Sequence, residues 1–272
     1  MTNLALGPIG ISTGLTSTPD SLAAAAAAEE LGYSAIWLAG GPLPGLQTIV
    51  DLVKATSSIQ FIPGILAVDK YSADEVAGVY ASVEAAHPGR FTVGLGGAHG
   101  AKPIATLTDY LDRLDAVPVG RRVLAALGPR MLELARDRSE GAYPFLISPE
   151  YTAEARKTLG PDKLLAVNHL VVVEADAPTA RGIARDTISF FTKIPGYAAS
   201  FKRQGFSPAD LAELPDRMVD ALAAWGTPDQ IGEKLRSHHE AGADHVAINV
   251  ITGVTGPQPI DQWRALAPAL LS

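Results

Sequence analysis

The chain has 272 residues, 47% of them hydrophobic and 19% charged, so it can bury a large core and is neither disordered nor fibrous. Its 29 acidic against 22 basic residues leave a formal charge of -7, the wrong sign for gripping nucleic acid or an anionic membrane, which points to a small-molecule partner. The lack of cysteine excludes disulfides, zinc-thiolate sites, iron–sulfur clusters and cysteine nucleophiles, and fits a reducing cytoplasm.

Leu4 to Ile11 reads as a first strand, and Pro19 to Leu31, with its alanine run Ala23 to Ala28, as the helix after it. The run ends at Glu29-Glu30, and no apolar stretch reaches the roughly 18 residues of a membrane span, so neither a span nor a signal peptide is expected. Further strands are expected at Ala35 to Leu38, Ile59 to Ala67, Phe91 to Gly96, Val123 to Leu127, Ala142 to Ile147, Leu165 to Val173 and His245 to Ile251. Most are continuous apolar runs, as in parallel strands covered on both faces. Eight strands give about 34 residues per unit, close to one βα step. That predicts a (β/α)8 TIM barrel over residues 1–272 as a single domain, with a doubly wound open sheet as rival. About 70 residues separate the last two strands, including the Gly/Pro-punctuated stretch Phe190 to Phe206, so an excursion is expected there.

Helix starts carry a contrast. Thr18-Pro19-Asp20, Ser72-Ala73-Asp74-Glu75, Ser148-Pro149-Glu150 and Thr227-Pro228-Asp229-Gln230 each supply a capping oxygen and an acidic first turn. Leu127-Gly128-Pro129-Arg130-Met131 supplies neither: Gly128 has no side-chain oxygen, and Arg130 adds positive charge to a positive helix end. A phosphate or carboxylate would reverse that mismatch, accepting from free amides and pairing with Arg130. In a barrel this junction lies at the catalytic face, whereas Arg121-Arg122 precede the strand, on the opposite face, and read as structural.

Gly94-Leu95-Gly96-Gly97-Ala98-His99-Gly100 would let a planar ligand or phosphate approach the backbone, but it is not a dinucleotide fingerprint, and His99 is either a proton donor or a solvated side chain. Pro63-Gly64-Ile65-Leu66-Ala67 suggests a bulge or bend in the third strand. Gly40-Gly41-Pro42-Leu43-Pro44-Gly45 offers no group able to move a proton. Asn168-His169 and Asn249 interrupt apolar strands, and hydrogen-bonded structural roles are expected for them. His238-His239-Glu240 sits late in a helix and is not a metal pattern, so no metal site is expected.

Three segments together resemble the luciferase-like superfamily, specifically its coenzyme F420-dependent oxidoreductases of actinobacterial type. They are His87-Pro88-Gly89-Arg90-Phe91 leading into Gly94-Leu95-Gly96; Arg122 through Ala135; and Gly226-Thr227-Pro228-Asp229-Gln230-Ile231 with Gly242-Ala243-Asp244-His245-Val246. The resemblance implies a TIM-like barrel with the cofactor ring across the strand ends, against a third-strand bulge that often holds a non-proline cis peptide. Here that is Pro63, Gly64, Ile65, Leu66 and Ala67, beside Gly96 and Gly97. It implies a cofactor phosphate at Gly128, Pro129 and Arg130, with Ser148 adding a hydroxyl, and His99, from its position after the fourth strand, is the candidate polar group near the ring. The chain departs from relatives in having Ala39-Gly40-Gly41 after the second strand, Ala67 in the bulge and Asn168-His169 in the seventh strand. The expectation is an oxidoreductase moving a hydride between F420 and a small organic substrate, as a possible homodimer. FMN with monooxygenase chemistry, a cofactor-binding barrel without catalysis, and a phosphate-binding aldolase or isomerase are the alternatives.

Overall fold

The computed structural model describes residues 4, 6–39, 43–98, 100, 102–254 and 256–271. In chain order the elements are β1 (Ile9–Thr13), α1 (Pro19–Glu30), β2 (Ala35–Ala39), α2 (Gln47–Lys54), β3 (Gln60–Gly64), β4 (Leu66–Ala67), α3 (Ala73–Ala86), β5 (Val93–Gly96), α4 (Pro103–Asp112), β6 (Arg122–Leu124), α5 (Pro129–Arg138) and β7 (Gly141–Ala142). There follow α6 (Pro149–Leu159), β8 (Leu164–Val172), α7 (Ala177–Thr192), α8 (Pro195–Arg203), α9 (Pro208–Glu213), α10 (Asp216–Leu222), β9 (Ala223–Trp225), α11 (Pro228–Glu240), β10 (His245–Val250) and α12 (Ile260–Leu270).

All strand pairs are parallel, in the order β3-β2-β1-β10-β8-β7-β6-β5-β4, with β9 added beside β8. Ile65 alone separates β3 from β4, so the two are halves of one stave, and the Phe61–Phe91 bridge brings β3 against the start of β5. The sheet is therefore a nearly closed barrel of eight staves, as the repeat spacing predicts. Five strands differ from expectation: β6 stops at Leu124 and β7 at Ala142, short of Leu127 and Ile147, and three others differ as follows. β1 begins only at Ile9, after the Gly7-Pro8 break; β9 has three residues, too few for a periodic signal; and the third stave is split.

Alternation along the staves sorts the core. Ala35, Trp37, Ile62, Val123, Tyr143, Leu164, Ala166 and Ala247 pack together inside the barrel. Their neighbours Ile36, Phe61, Leu124, Leu165, Val167, Val246 and Ile248 pack outward under the helices. The interior is filled, with the Trp37 and Tyr143 rings stacked 3.8 Å apart and 4° from parallel. Trp37 Nε1 donates to His245 Nε2 at 2.9 Å, and His245 Nδ1 donates to the Gly7 carbonyl at 2.6 Å, which fixes the tautomer.

The expected excursion fills the stretch between β8 and β10. It has its own apolar cluster, in which Phe201, Met218, Val219 and Leu222 join Leu170 and Val172 of β8. Arg181 bridges to Asp220 at 2.7 Å and Arg185 to Asp216 at 2.6 Å, tying α7 to α10. Among the described residues, no helix is long and apolar enough to cross a membrane.

Candidate active site at the barrel mouth

Two groups of the expected site residues meet at the C-terminal ends of the strands, where TIM-barrel chemistry is built. The first is a smooth surface of backbone and small side chains. The Gly64–Ile65 peptide is cis. A Cβ on Gly94 would lie 1.8 Å from the Pro63 carbonyl oxygen, so only glycine lets β5 approach the split stave. Gly97 has φ +75, and a Cβ there would stand 3.0 Å from Ala67 Cβ and 3.2 Å from Ile65 Cδ1. Pro63 through Ala67 thus pack directly against Gly96 and Gly97, with Gly64, Ile65, Ala67 and Gly97 half-buried, a surface of small groups without a proton-transfer group of its own. His99 lies outside the described residues.

The second group is the start of α5. Ala125 carries β6 toward it, its amide donating to Leu95 of β5 at 2.9 Å. Gly128 is the N-cap, with no side-chain hydrogen bond to the helix, whereas Thr18, Ser72, Ser148 and Thr227 all cap theirs as expected. The missing cap alone is not distinctive, since α2, α4, α8, α10 and α12 also lack one. Charge distinguishes α5. Arg130 in its first turn is exposed, and a second arginine, Arg203 at the end of α8, reaches over to donate from Nη2 to the Leu127 carbonyl at 2.8 Å. A Cβ on Gly128 would stand 3.2 Å from that same nitrogen. Among the described residues, no carboxylate pairs with Arg130 or Arg203. Two guanidinium groups at the positive end of a helix repel one another and the dipole unless an anion lies between them.

Ser148 caps α6, accepting from the Tyr151 amide at 3.4 Å, while its own amide donates to Gln204 Oε1 at 2.9 Å. Its hydroxyl also lowers the pKa of the Glu150 carboxyl. Ser148, Tyr151, Arg203 and Gln204 line a cleft of about 290 Å³ that also holds Glu150 and Glu154. Tyr151 donates to the Leu127 carbonyl at 2.8 Å, so this cleft adjoins the α5 start.

The opposite face carries structural cations, as expected. Arg122 is buried and donates to the Val117 and Leu114 carbonyls, each at 2.8 Å, and Arg121 donates to the Gly89 carbonyl. In the motif before β5, Arg90 likewise donates to Ile59 at 2.7 Å and to the Thr56 hydroxyl at 2.7 Å.

The polar residues within the strands differ from expectation. Asn168 faces the barrel interior, and its amide nitrogen donates to the Ser12 hydroxyl at 3.3 Å, but its Oδ1 has no partner among the described residues. Tyr143 Oη makes no well-formed hydrogen bond, though the Ser12 hydroxyl lies close enough to lower its pKa, and burial pushes that pKa up by more. His169 faces outward against His238, rings 4.6 Å apart, with neither ring nitrogen bonded. The expected hydrogen-bonded role therefore fails for His169, because only apolar groups and another imidazole reach it. Burial and the neighbouring His238 hold its pKa well below the usual range. His238, accepting from or donating to Thr152 Oγ1 at 2.8 Å, is pushed down to about 3 by burial.

Residues 110–245 match the family model of luciferase-like monooxygenases. No curated protein matches the chain. Among solved structures, the coenzyme F420-dependent tetrahydromethanopterin reductase from Methanopyrus kandleri superposes with a TM-score of 0.77 at 16% identity, covering 98% of this chain and 99% of that one. An F420-dependent secondary alcohol dehydrogenase bound to an F420–acetone adduct gives 0.71 at 14% identity, covering 98% and 99%. The oxygenating constituent of 3,6-diketocamphane monooxygenase from Pseudomonas putida, in complex with FMN, gives 0.62 at 15% identity, covering 95% and 96%. At these identities the likeness is one of fold.

Proposed function

We propose a reaction for this chain, which belongs to the luciferase-like monooxygenase family: hydride transfer between coenzyme F420 and a small organic substrate. The observation that carries the reading is the α5 start, where Arg130 and Arg203 stand without carboxylate partners beside uncapped amides. That arrangement fits a phosphate, because it offers the Arg130 amide, a positive helix end and two guanidinium groups, while Pro129 has no N–H and the Met131 amide is taken by the Gly128 carbonyl. The surface one stave away fits a flat ring, since the half-buried Gly64, Ile65, Ala67 and Gly97 present only backbone and small apolar groups there.

The deazaflavin, when bound, supplies the redox chemistry. Pro63 to Ala67 with Gly96 and Gly97 would hold one ring face, leaving the other open to substrate. Gly128, Pro129 and Arg130 would hold the phosphate, Arg203 would close over it from α8, and Ser148 would stand at its rim. Cover from α8 would keep water from the reacting face.

FMN is the second reading, favoured by the family's monooxygenases and by the FMN-bound relative. Its phosphate would suit the same α5 start, so affinity decides. Absorbance titrations of F420 and FMN are expected to show tighter binding of F420, weakened about tenfold or more by Arg130→Glu and by Arg203→Glu. Equal affinities in wild type and both variants would remove the phosphate assignment. Tighter FMN binding would move the chain to the monooxygenase reading, and binding of neither would overturn both.

A further inference from the structure

Three polar side chains from three separate staves meet inside the upper barrel: Ser12 of β1, Asn168 of β8 and Tyr143 just beyond β7. All are buried, with relative exposures of 4%, 5% and 4%. Their bonding is incomplete in a specific way. Asn168 gives an amide hydrogen to Ser12 Oγ and leaves Oδ1 without a partner among the described residues, while Tyr143 Oη makes no well-formed hydrogen bond and has only the nearby Ser12 hydroxyl, which lowers its pKa slightly against burial. One unused acceptor and one donor whose contact with Ser12 is poorly formed remain in a dry layer, where a group left unpaired costs about 1–3 kcal/mol. Burial keeps the phenol protonated, so Tyr143 is a hydrogen-bond donor and a poor acid.

Tyr143 is also fixed in place. Its ring stacks on Trp37 on one side, and its Cε1 lies 2.6 Å from where a Gly64 Cβ would stand, directly under the split stave. The donor is thus held beneath the surface assigned above to the cofactor ring.

We propose that Tyr143 Oη and Asn168 Oδ1, steadied by Ser12, recognise the imide edge of the bound ring, Tyr143 donating to a ring carbonyl and Asn168 accepting from the adjacent ring N–H. A donor beside an acceptor is complementary to an imide or lactam, which presents a carbonyl next to an N–H. Deazaflavin and flavin rings share that edge, so the inference rests on the proposed cofactor class but not on which member of it binds. Both atoms are sealed from solvent, so an incoming ring displaces what covers them; Tyr197 on α8 lies close enough to affect the titration of Tyr143.

The test compares F420, FMN and the N3-methyl derivative of whichever binds wild type more tightly, by fluorescence titration. Wild type is expected to bind the methylated ring about tenfold more weakly, and Asn168→Leu to lose that discrimination. Tyr143→Phe, which keeps the stack on Trp37, is expected to weaken the parent ring about tenfold without lowering the Tm of the ligand-free protein. Equal binding of parent and methylated rings by wild type, which needs no variant to fold, would overturn the inference. So would a lowered Tm in Tyr143→Phe with unchanged affinity, the mark of an internal hydrogen bond or buried water only. Failure of wild type to bind either cofactor would overturn the proposed function as well, and so separates the two.

Discussion

His169 and His238 face each other in the wall between β8 and α11, with three of their four ring nitrogens unbonded. No charged partner compensates an imidazolium there; Lys234 opposes protonation, and only Glu150 favours it at His238. Both rings are therefore neutral in the folded chain, as is His245, pushed down to about 4 mainly by burial. The unfolded chain protonates these groups near their ordinary value of 6.5, so below it the unfolded state binds more protons than the folded one and stability falls with pH. Each histidine contributes up to about 1.4 kcal/mol per pH unit until its folded pKa is reached. Carboxylates such as Glu29, lowered to about 2 by backbone donors that outweigh its desolvation, add their loss only below their unfolded value of 4.5. Between 6.5 and 4.5 the loss belongs to the histidines. Urea midpoints are expected to drop from pH 7.5 to pH 5, and His169→Leu to raise the midpoint at pH 7.5 and flatten the drop. An unchanged slope in His169→Leu would mean that this ring is solvated or charged. Sequence identified His169 as a polar interruption but could not show that its outward neighbour would be another imidazole. Arg203 was hidden differently. It ends a helix after Lys202, where basic residues complement the dipole, so nothing local separates it from an ordinary C-terminal charge.

At the scale of elements, the glycines divide between those that permit packing and those that merely dilute a helix. Gly94 on β5 has no room for a methyl group, with the Pro63 carbonyl at 1.8 Å from its Cβ position, and both are backbone that must move together. Gly78 on α3 and Gly182 on α7 have nothing within 4 Å. Gly94→Ala is expected to destabilise by about 3 kcal/mol or to prevent folding, whereas Gly78→Ala and Gly182→Ala are expected to stabilise by about 0.5–1 kcal/mol each. Thermal unfolding of the three variants checks this, and a tolerated Gly94→Ala would mean that the split stave is not held by β5. The staves themselves were legible because continuous apolar runs separated by capped helices specify a covered parallel sheet. All five helix starts read from the sequence behave as expected, four capped by a side chain and the fifth, at Gly128, uncapped. What the runs could not reveal was the break at Ile65, which depends on contacts from β5, or β9, whose three residues pair with β8 only because α10 delivers them there.

For the whole molecule, the question is how the excursion is joined to the barrel. Its inner side is secured by the apolar cluster around Phe201 and Met218 and by the Arg181 and Arg185 ion pairs. Its outer end is joined to the α5 start by Arg203, through the Leu127 carbonyl and a 3.4 Å contact with Tyr151 Oη. Exposed single bonds of this kind contribute little on their own, and the last turn of α8 is held mainly by buried Phe201, so it opens only by local unfolding of that turn. An anion between Arg130 and Arg203 changes that balance, because lifting α8 would then also break a charge-assisted contact and release the ligand. Lys202, exposed beside Arg203, reports the opening directly, since trypsin cleaves after it only when the turn unfolds. With cofactor at about 100 times its Kd, opening costs about 2.7 kcal/mol more, and cleavage after Lys202 is expected to slow about 100-fold. Cleavage at Lys193, at the start of the same excursion but away from the α5 contact, should slow less. Equal protection at both positions would indicate global stabilisation of the barrel, and protection at neither would show that α8 takes no part in holding the ligand.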